Sequence, residues 1–317
     1  MPGGQTAERP TPKTGLAVSG LNVLWIDAHT PAAKGTTTVL IHGLATSMAF
    51  WYAGVANQLA ALGNVVLFDL RGHGRSAMPH SGYTANALAQ DVVAILDHFN
   101  VERAHIAGHS YGGLVALEFA LQHSDRTQSV LVADTRLPSV QRELSVGSSN
   151  IGRELRSRLA GFGIDVPEDC TDFGFELLTR MARLRVTGDP RAALIEEQYI
   201  GSYRMMGPRT AKRWLELLDS TAALAQFKQG SALTLRDLCR LKSPSCALYG
   251  ELSMTLPSGE ALSRALPDCH FEIVPGVGHF FPASRPQEFV VRAIRFLEGC
   301  NRGSARVGTW TRCRRDR

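Results

Sequence analysis

Ala104-His105-Ile106-Ala107-Gly108-His109-Ser110-Tyr111-Gly112-Gly113-Leu114-Val115-Ala116-Leu117-Glu118-Phe119-Ala120 is the stretch on which the reading of this chain turns. A short buried strand stops at a glycine, a serine follows two residues later, and an apolar helix begins at once. Gly108-His109-Ser110-Tyr111-Gly112 has the G-x-S-x-G form of a strand-turn-helix elbow with the serine at its apex. A residue at such an apex has a strained backbone, so its neighbours must be small. Gly112 and Gly113 also let the helix pack close to the strand. Ser110 Oγ is therefore expected above the sheet edge, where the helix N-terminus favours negative charge. A glycine-rich turn with an exposed serine has the same bare pattern; the flanking strand and helix favour the elbow.

Upstream, Leu21–Ala28 alternates as an early strand should, and Pro31–Gly35 reads as a turn. Thr36–Ile41 is a β-rich run that breaks at His42-Gly43-Leu44-Ala45. Phe50–Leu62 reads as a helix with Trp51, Val55 and Leu59 on one side. Asn64–Leu70 is continuously apolar, as a buried parallel strand is, and opens into Arg71-Gly72-His73-Gly74-Arg75-Ser76. Ala85–Phe99 is an amphipathic helix, and Ser129–Ala133 a strand that ends at Asp134.

Regular strand–helix alternation implies an α/β fold, a mostly parallel twisted sheet with helices on both faces. The pattern changes after Thr135. Gln141–Leu159, Asp172–Leu184, Ala192–Met206 and Thr210–Leu224 each read as a helix, with no convincing strand among them. Strand character returns at Ser245–Tyr249 and His270–Val274, and Pro286–Leu297 closes the pattern as a helix. The expected organisation is a disordered N-terminus over 1–19 and a core over 20–135 and 240–299. An inserted helical cap occupies 136–239, and a basic disordered tail 300–317.

Of the 317 residues, 44% are apolar and 20% charged, ordinary for a soluble globular protein. No run approaches a membrane span, and Met1–Gly20 lacks the apolar core of a secretory signal, so a cytoplasmic location is expected. The formal charge of +5 is concentrated in Asn301–Arg317, where six arginines face Asp316. Such a tail either binds nucleic acid or an acidic membrane surface or is a solvated end; the solvated end is the expectation, with no nucleic-acid partner, and the near-neutral rest says little about partners. Cys170, Cys239, Cys246, Cys269, Cys300 and Cys313 form no C-x-x-C pair and no zinc spacing with histidine. They read as free thiols, mostly buried, and no metal is expected.

Four motifs, in order, make the chain resemble the α/β-hydrolase superfamily over about residues 20–298. They are His42-Gly43 after a strand, Asp69-x-x-Gly72-x-Gly74-x-Ser76, the Ser110 elbow, and Gly278-His279-Phe280 near the end. The resemblance implies a fold with an inserted helical cap, no cofactor, and a small-molecule ester-like substrate. It leaves oligomeric state open, a homo-oligomer included. A serine hydroxyl needs a base, and His279 is placed to be that base. The implied oxyanion donors are the backbone amides of Tyr111 and Leu44. His42, Gly43 and His109 read as supporting residues, and Asp69, Arg71, Gly72 and Gly74 as scaffold.

The sequence departs from the family pattern at the third member of the triad. Many relatives carry an aspartate three residues after the glycine that ends the next-to-last strand. Here Gly250-Glu251-Leu252-Ser253 puts a serine there. Asp134, after the strand that follows the nucleophile helix, is the expected acid, because Ser110, Asp134 and His279 keep the family order. Glu251 is the alternative, and Asp134 as a helix cap is the structural reading of the same residue.

Ser110 points to acyl transfer, where an aspartate at that position would point to dehalogenation or epoxide opening. The expected function is a serine hydrolase cleaving carboxylic esters of small to medium hydrophobic substrates through an acyl-enzyme on Ser110. The alternatives are a C–C bond or lactone hydrolase of aromatic catabolism and a non-catalytic ligand-binding relative. Phe162, Phe173, Phe175, Leu177, Met181, Met205, Met206 and Trp214 either line a pocket under the cap or form its core. Arg136 and Arg180 either meet an acidic substrate or face solvent.

Overall fold

The computed structural model describes residues 13–33, 35–145, 147, 149–200, 206–229 and 231–302. Its strands are β1 (Lys13–Val18), β2 (Leu21–Ile26), β3 (Thr37–Ile41), β4 (Asn64–Phe68), β5 (Ala104–His109), β6 (Thr127–Ala133), β7 (Ser245–Gly250) and β8 (Cys269–Val274). They form one sheet in the order β1-β2-β4-β3-β5-β6-β7-β8, antiparallel at β1–β2 and β2–β4 and parallel elsewhere. From β3 the chain steps outward to β4 and then returns to the other side of β3 as β5. Such a reversal leaves a crevice beyond the carboxyl ends of those strands. His42, Ser110, Asp134 and the loops after β7 and β8 all lie at that edge.

The helices are α1 (Ala49–Trp51), α2 (Asn57–Leu59), α3 (Ala85–His98), α4 (Tyr111–Gln122), α5 (Asn150–Gly161), α6 (Phe173–Val186), α7 (Arg191–Ile200), α8 (Pro208–Ser220), α9 (Ala223–Gln229), α10 (Leu235–Leu238), α11 (Leu256–Ala265), α12 (Phe281–Ser284) and α13 (Pro286–Asn301). Strand side chains alternate between two cores, as a period of two requires. Val39, Ile41, Ile106, Val130 and Val132 meet α3 and α4 on one face. Leu40, Ala107, Leu131 and Ala133 meet the 49–59 segment and α13 on the other. A parallel sheet covered on both faces explains why its strands read as unbroken apolar runs.

Several expectations need correction. The N-terminus is not disordered throughout 1–19. β1 pairs with β2, Leu16 opposite Val23 and Val18 opposite Leu21, and Val18 is buried. Six residues interrupted by Gly15 carry too brief an alternation to read alone; pairing with β2 supplies what the local pattern lacks. The single helix expected over 50–62 is split by a π-helical turn, Tyr52–Ala56, at which Gly54 packs on Pro286. Trp51, Val55 and Leu59 are still all buried. In the helical insertion, the helix expected from 141 begins at Asn150, capped by the Ser149 side chain, which accepts from the Gly152 amide. The helix expected over 210–224 breaks at the extended Thr221, whose hydroxyl accepts from the Ala223 amide and starts α9. α13 continues to Asn301, inside the stretch expected to be disordered, because the Asn301 carboxamide bonds His105 and Gln128. Of the thiols among the described residues only Cys246 is buried, Cys239 is exposed, and Cys170, Cys269 and Cys300 are intermediate. Met205, Cys313 and the arginines of the tail beyond Arg302 lie outside the described residues. Among those residues no helix is long and apolar enough to cross a membrane.

The insertion is tied to the core by aromatic packing and by main-chain bonds. Trp214 of α8 is buried against Phe227, Phe175 and His73 at ring distances of 5.9, 5.4 and 5.8 Å. The Gln226 side-chain oxygen accepts from the Gly82 and Tyr83 amides, and Arg213 donates to the Ser76 carbonyl.

Candidate active site

β5 delivers Ser110 at a sharp turn with φ 55° and ψ −121°, and α4 starts at the next residue. A non-glycine residue held there costs about 1–3 kcal/mol. The surrounding glycines make the turn sterically attainable. A Cβ on Gly108 would stand 2.1 Å from the Gly112 carbonyl oxygen, and one on Gly112 2.4 Å from the Ile41 carbonyl oxygen. Gly43 lies so near the serine that its Cβ would come 3.0 Å from that of Ser110.

Asp134 follows β6 with φ 53° and is wholly buried. Its Oδ1 lies 2.8 Å from His279 Nδ1 and 2.5 Å from the Thr255 hydroxyl, which donates to it. The Ser253 hydroxyl donates to the same oxygen, and the Gly250 amide donates to Oδ2 at 2.8 Å. Burial alone would push this carboxyl up. The His279 hydrogen bond and charge, with the Ser253 and Thr255 hydroxyls, outweigh it and hold Asp134 below the usual aspartate range. Glu251, the alternative acid, is exposed and accepts instead from the Gly276 amide at 2.8 Å.

His279 sits between β8 and α12, and its carbonyl oxygen is 2.9 Å from His109 Nε2. A carbonyl only accepts, so His109 carries its proton on Nε2. Its Nδ1 is buried without a partner among the described residues. Burial pushes His109 down to about 3, so it is neutral, and its ring stacks on Phe50 at 4.4 Å.

Two more neutral histidines brace the loop after β3. His42 Nε2 accepts from the Leu70 amide at 3.0 Å, which leaves its Nδ1–H for the Gly43 carbonyl at 2.7 Å. His73 Nε2 accepts from the Ala45 amide at 3.1 Å, and its Nδ1–H donates to the Arg71 carbonyl at 2.9 Å. Burial lowers both, His73 to about 3. Between them the Leu44 amide makes no hydrogen bond among the described residues. The Tyr111 amide opens α4, where no intrahelical acceptor exists. Asp69 accepts from Asn22, from the Met48 amide and from the Arg75 amide at 2.7–2.9 Å, the scaffold part expected of it.

A cavity of about 1180 Å³ opens over this edge. Ser110, His279, Leu44, Tyr111, Gly43 and His109 line it, while His42 and Asp134 stand behind the wall. No hydrogen bond joins Ser110 Oγ to His279 among the described residues; such contacts often tighten only with substrate in place. Phe173, Phe175, Leu177 and Met181 line the cavity, and Phe173 and Met181 are buried in the core as well. Met206 and Trp214 are buried in the core without lining the cavity, and Phe162 packs against it. Arg136 lines the cavity but pairs with Asp172 at 3.1 Å, and Arg180 pairs with Glu176 at 2.5 Å. The bracing by His73 and the hydroxyl donors Ser253 and Thr255 escaped the sequence reading.

The alpha/beta hydrolase family model matches residues 38–293. The chain belongs to the alpha/beta hydrolase family. This hydrolase is 38% identical to a Caulobacter segnis protein that carries the name of a carbamate hydrolase, RutD; the match covers 85% of this chain and 94% of that protein. Its fold is similar to that of a membrane phospholipase A, with a TM-score of 0.68 at 20% identity over 92% of this chain and 87% of the other. It is also similar to a carboxylesterase from Bacillus subtilis, with a TM-score of 0.61 at 20% identity over 90% of each chain.

Proposed function

We propose that this alpha/beta hydrolase cleaves carboxylic esters of hydrophobic substrates through an acyl-enzyme on Ser110. The observation that carries the reading is the 2.8 Å bond between His279 Nδ1 and the buried Asp134 carboxylate, beside a cavity that Ser110 and His279 both line. With Nδ1–H committed to Asp134, His279 Nε2 is the basic atom left to face the cavity. It takes the Ser110 proton as Oγ attacks the acyl carbon. The Leu44 and Tyr111 amides meet the oxyanion. The imidazolium then protonates the departing alkoxide, and the Ser110 acyl ester remains. Water, deprotonated by the same nitrogen, attacks that ester and releases the acid.

The related protein named for carbamate hydrolysis suggests a second acyl substrate of the same chemistry. The size and lining of the cavity favour the ester. Its wall carries Leu114, Phe173, Phe175, Leu177, Met181 and Phe227, and its volume exceeds the about 300–1,000 Å³ usual for ligand sites. A small carbamate would fill little of it. A panel of p-nitrophenyl esters from acetate to decanoate, run beside aryl carbamates, tests the reading. Faster turnover of the mid-length esters, abolished in Ser110→Ala, is expected. Carbamate turnover above all esters would overturn it.

A further inference from the structure

The acid in this chain stands at the end of β6, and the loop after β7 has a serine where many relatives carry the acid. That loop nonetheless still serves the acid. Ser253 is 2% and Thr255 4% exposed, and both hydroxyls donate to the same carboxylate oxygen that faces His279 Nδ1. The two hydroxyl oxygens also lie 3.1 Å apart, and the Thr255 amide donates to the Ser253 oxygen at 3.2 Å. The Gly250 amide holds the other carboxylate oxygen. A carboxylate with no access to water must find its donors in the protein, or it takes a proton instead.

We propose that Ser253 and Thr255 are positioning residues, whose paired hydroxyl donation to Oδ1 keeps the Asp134 carboxylate ionised and aimed at His279 Nδ1. The proposal rests on the reading of Ser110, His279 and Asp134 as the reacting unit. It adds that the loop which no longer supplies the acid supplies the acid's solvation.

The sign of the effect follows. The hydroxyl dipoles present positive hydrogens to Oδ1 and so weaken its hold on a proton shared with His279. Without them the pair binds its proton more tightly, whichever atom carries it, and the acid limb of the reaction rises in pH. The other titratable groups facing the pair are His109 and Tyr249, both buried and held neutral at working pH. Arg136, Asp172, Arg285 and Glu143 line the same cavity and are unchanged in the variants, so they bias every profile alike.

The test is the rate of fluorophosphonate labelling against pH from 5 to 9, which needs no natural substrate. Wild type is compared with Ser253→Ala, Thr255→Val, Thr255→Ser and Asp134→Asn. Thr255→Val keeps the side-chain volume and leaves no room for a replacing water. The acid limb should rise by about one pH unit in Ser253→Ala and in Thr255→Val, a tenfold slowing at the acid end, and return to wild type in Thr255→Ser. Profiles that fall uniformly at all pH, or do not change, would overturn the positioning role while Asp134→Asn remains slow. Asp134→Asn labelling at the wild-type rate would instead remove the triad reading beneath it.

Discussion

At the scale of the residue, the proposed function turns on Asp134. Its buried carboxylate accepts from His279 Nδ1 and so fixes the imidazole tautomer, and Asp134→Asn should cost on the order of 10⁴-fold in turnover while leaving a residual rate from the oxyanion amides. Steady-state kcat on the best aryl ester, with circular dichroism as a fold control, measures this. Ser110 and His279 were legible because each sits in a motif with strand and loop context. Asp134 was legible as the candidate acid from its place at the end of the strand after the nucleophile helix and from the family order Ser110, Asp134, His279. Ser253 and Thr255 were not legible as its donors. A hydroxyl has no sequence signature for the carboxylate it will meet, and these two meet one more than 110 positions away.

At the scale of the element, the elbow is a backbone object. Its glycines face carbonyls of β3 and α4 that cannot move without breaking the hydrogen bonds of the sheet or the helix. Gly112→Ala would put a Cβ 2.4 Å from the Ile41 carbonyl oxygen, and should cost at least about 1–3 kcal/mol and most labelling by a fluorophosphonate. Urea unfolding beside the labelling rate checks both. Caps set the insertion: Ser149→Ala should destabilise by about 1 kcal/mol, read as a lower urea midpoint, through loss of the bond to the Gly152 amide. The core strands were legible because burial on both faces leaves unbroken apolar runs. The insertion was legible as helical but not in its boundaries. Ser149 and Thr221 act as caps only where the chain is already extended, and helical periodicity alone does not reveal that.

At the scale of the whole molecule, buried neutral histidines set the response to acid. His73 and His109 are pushed to about 3 and His105 to about 4, chiefly by burial, and His42 is lowered in the same way. The unfolded chain binds these protons near the ordinary value of about 6.5, the folded chain only far lower. Stability is therefore full above that value and falls as pH drops toward 3, by about 1.4 kcal/mol per pH unit for each such histidine. Asp134, held low, adds a loss in the same direction below about 4. The urea midpoint should fall steeply between pH 7 and pH 5; a flat midpoint there would contradict the buried neutral assignments. His42, His73 and His109 brace the two turns that bear Leu44 and Ser110, so labelling should fall with the same transition.

The central claim is an activated Ser110 whose acid is Asp134, with Ser253 in support. Intact mass after brief fluorophosphonate treatment of wild type, Ser110→Ala, Asp134→Asn and Ser253→Asp tests it most directly. The account predicts a single adduct on wild type, none on Ser110→Ala, and slow labelling of both Asp134→Asn and Ser253→Asp. In the last variant a second carboxylate would be forced against the buried first one. Unlabelled wild type with faster labelling of Ser253→Asp would contradict it, since the triad would then have lacked its acid.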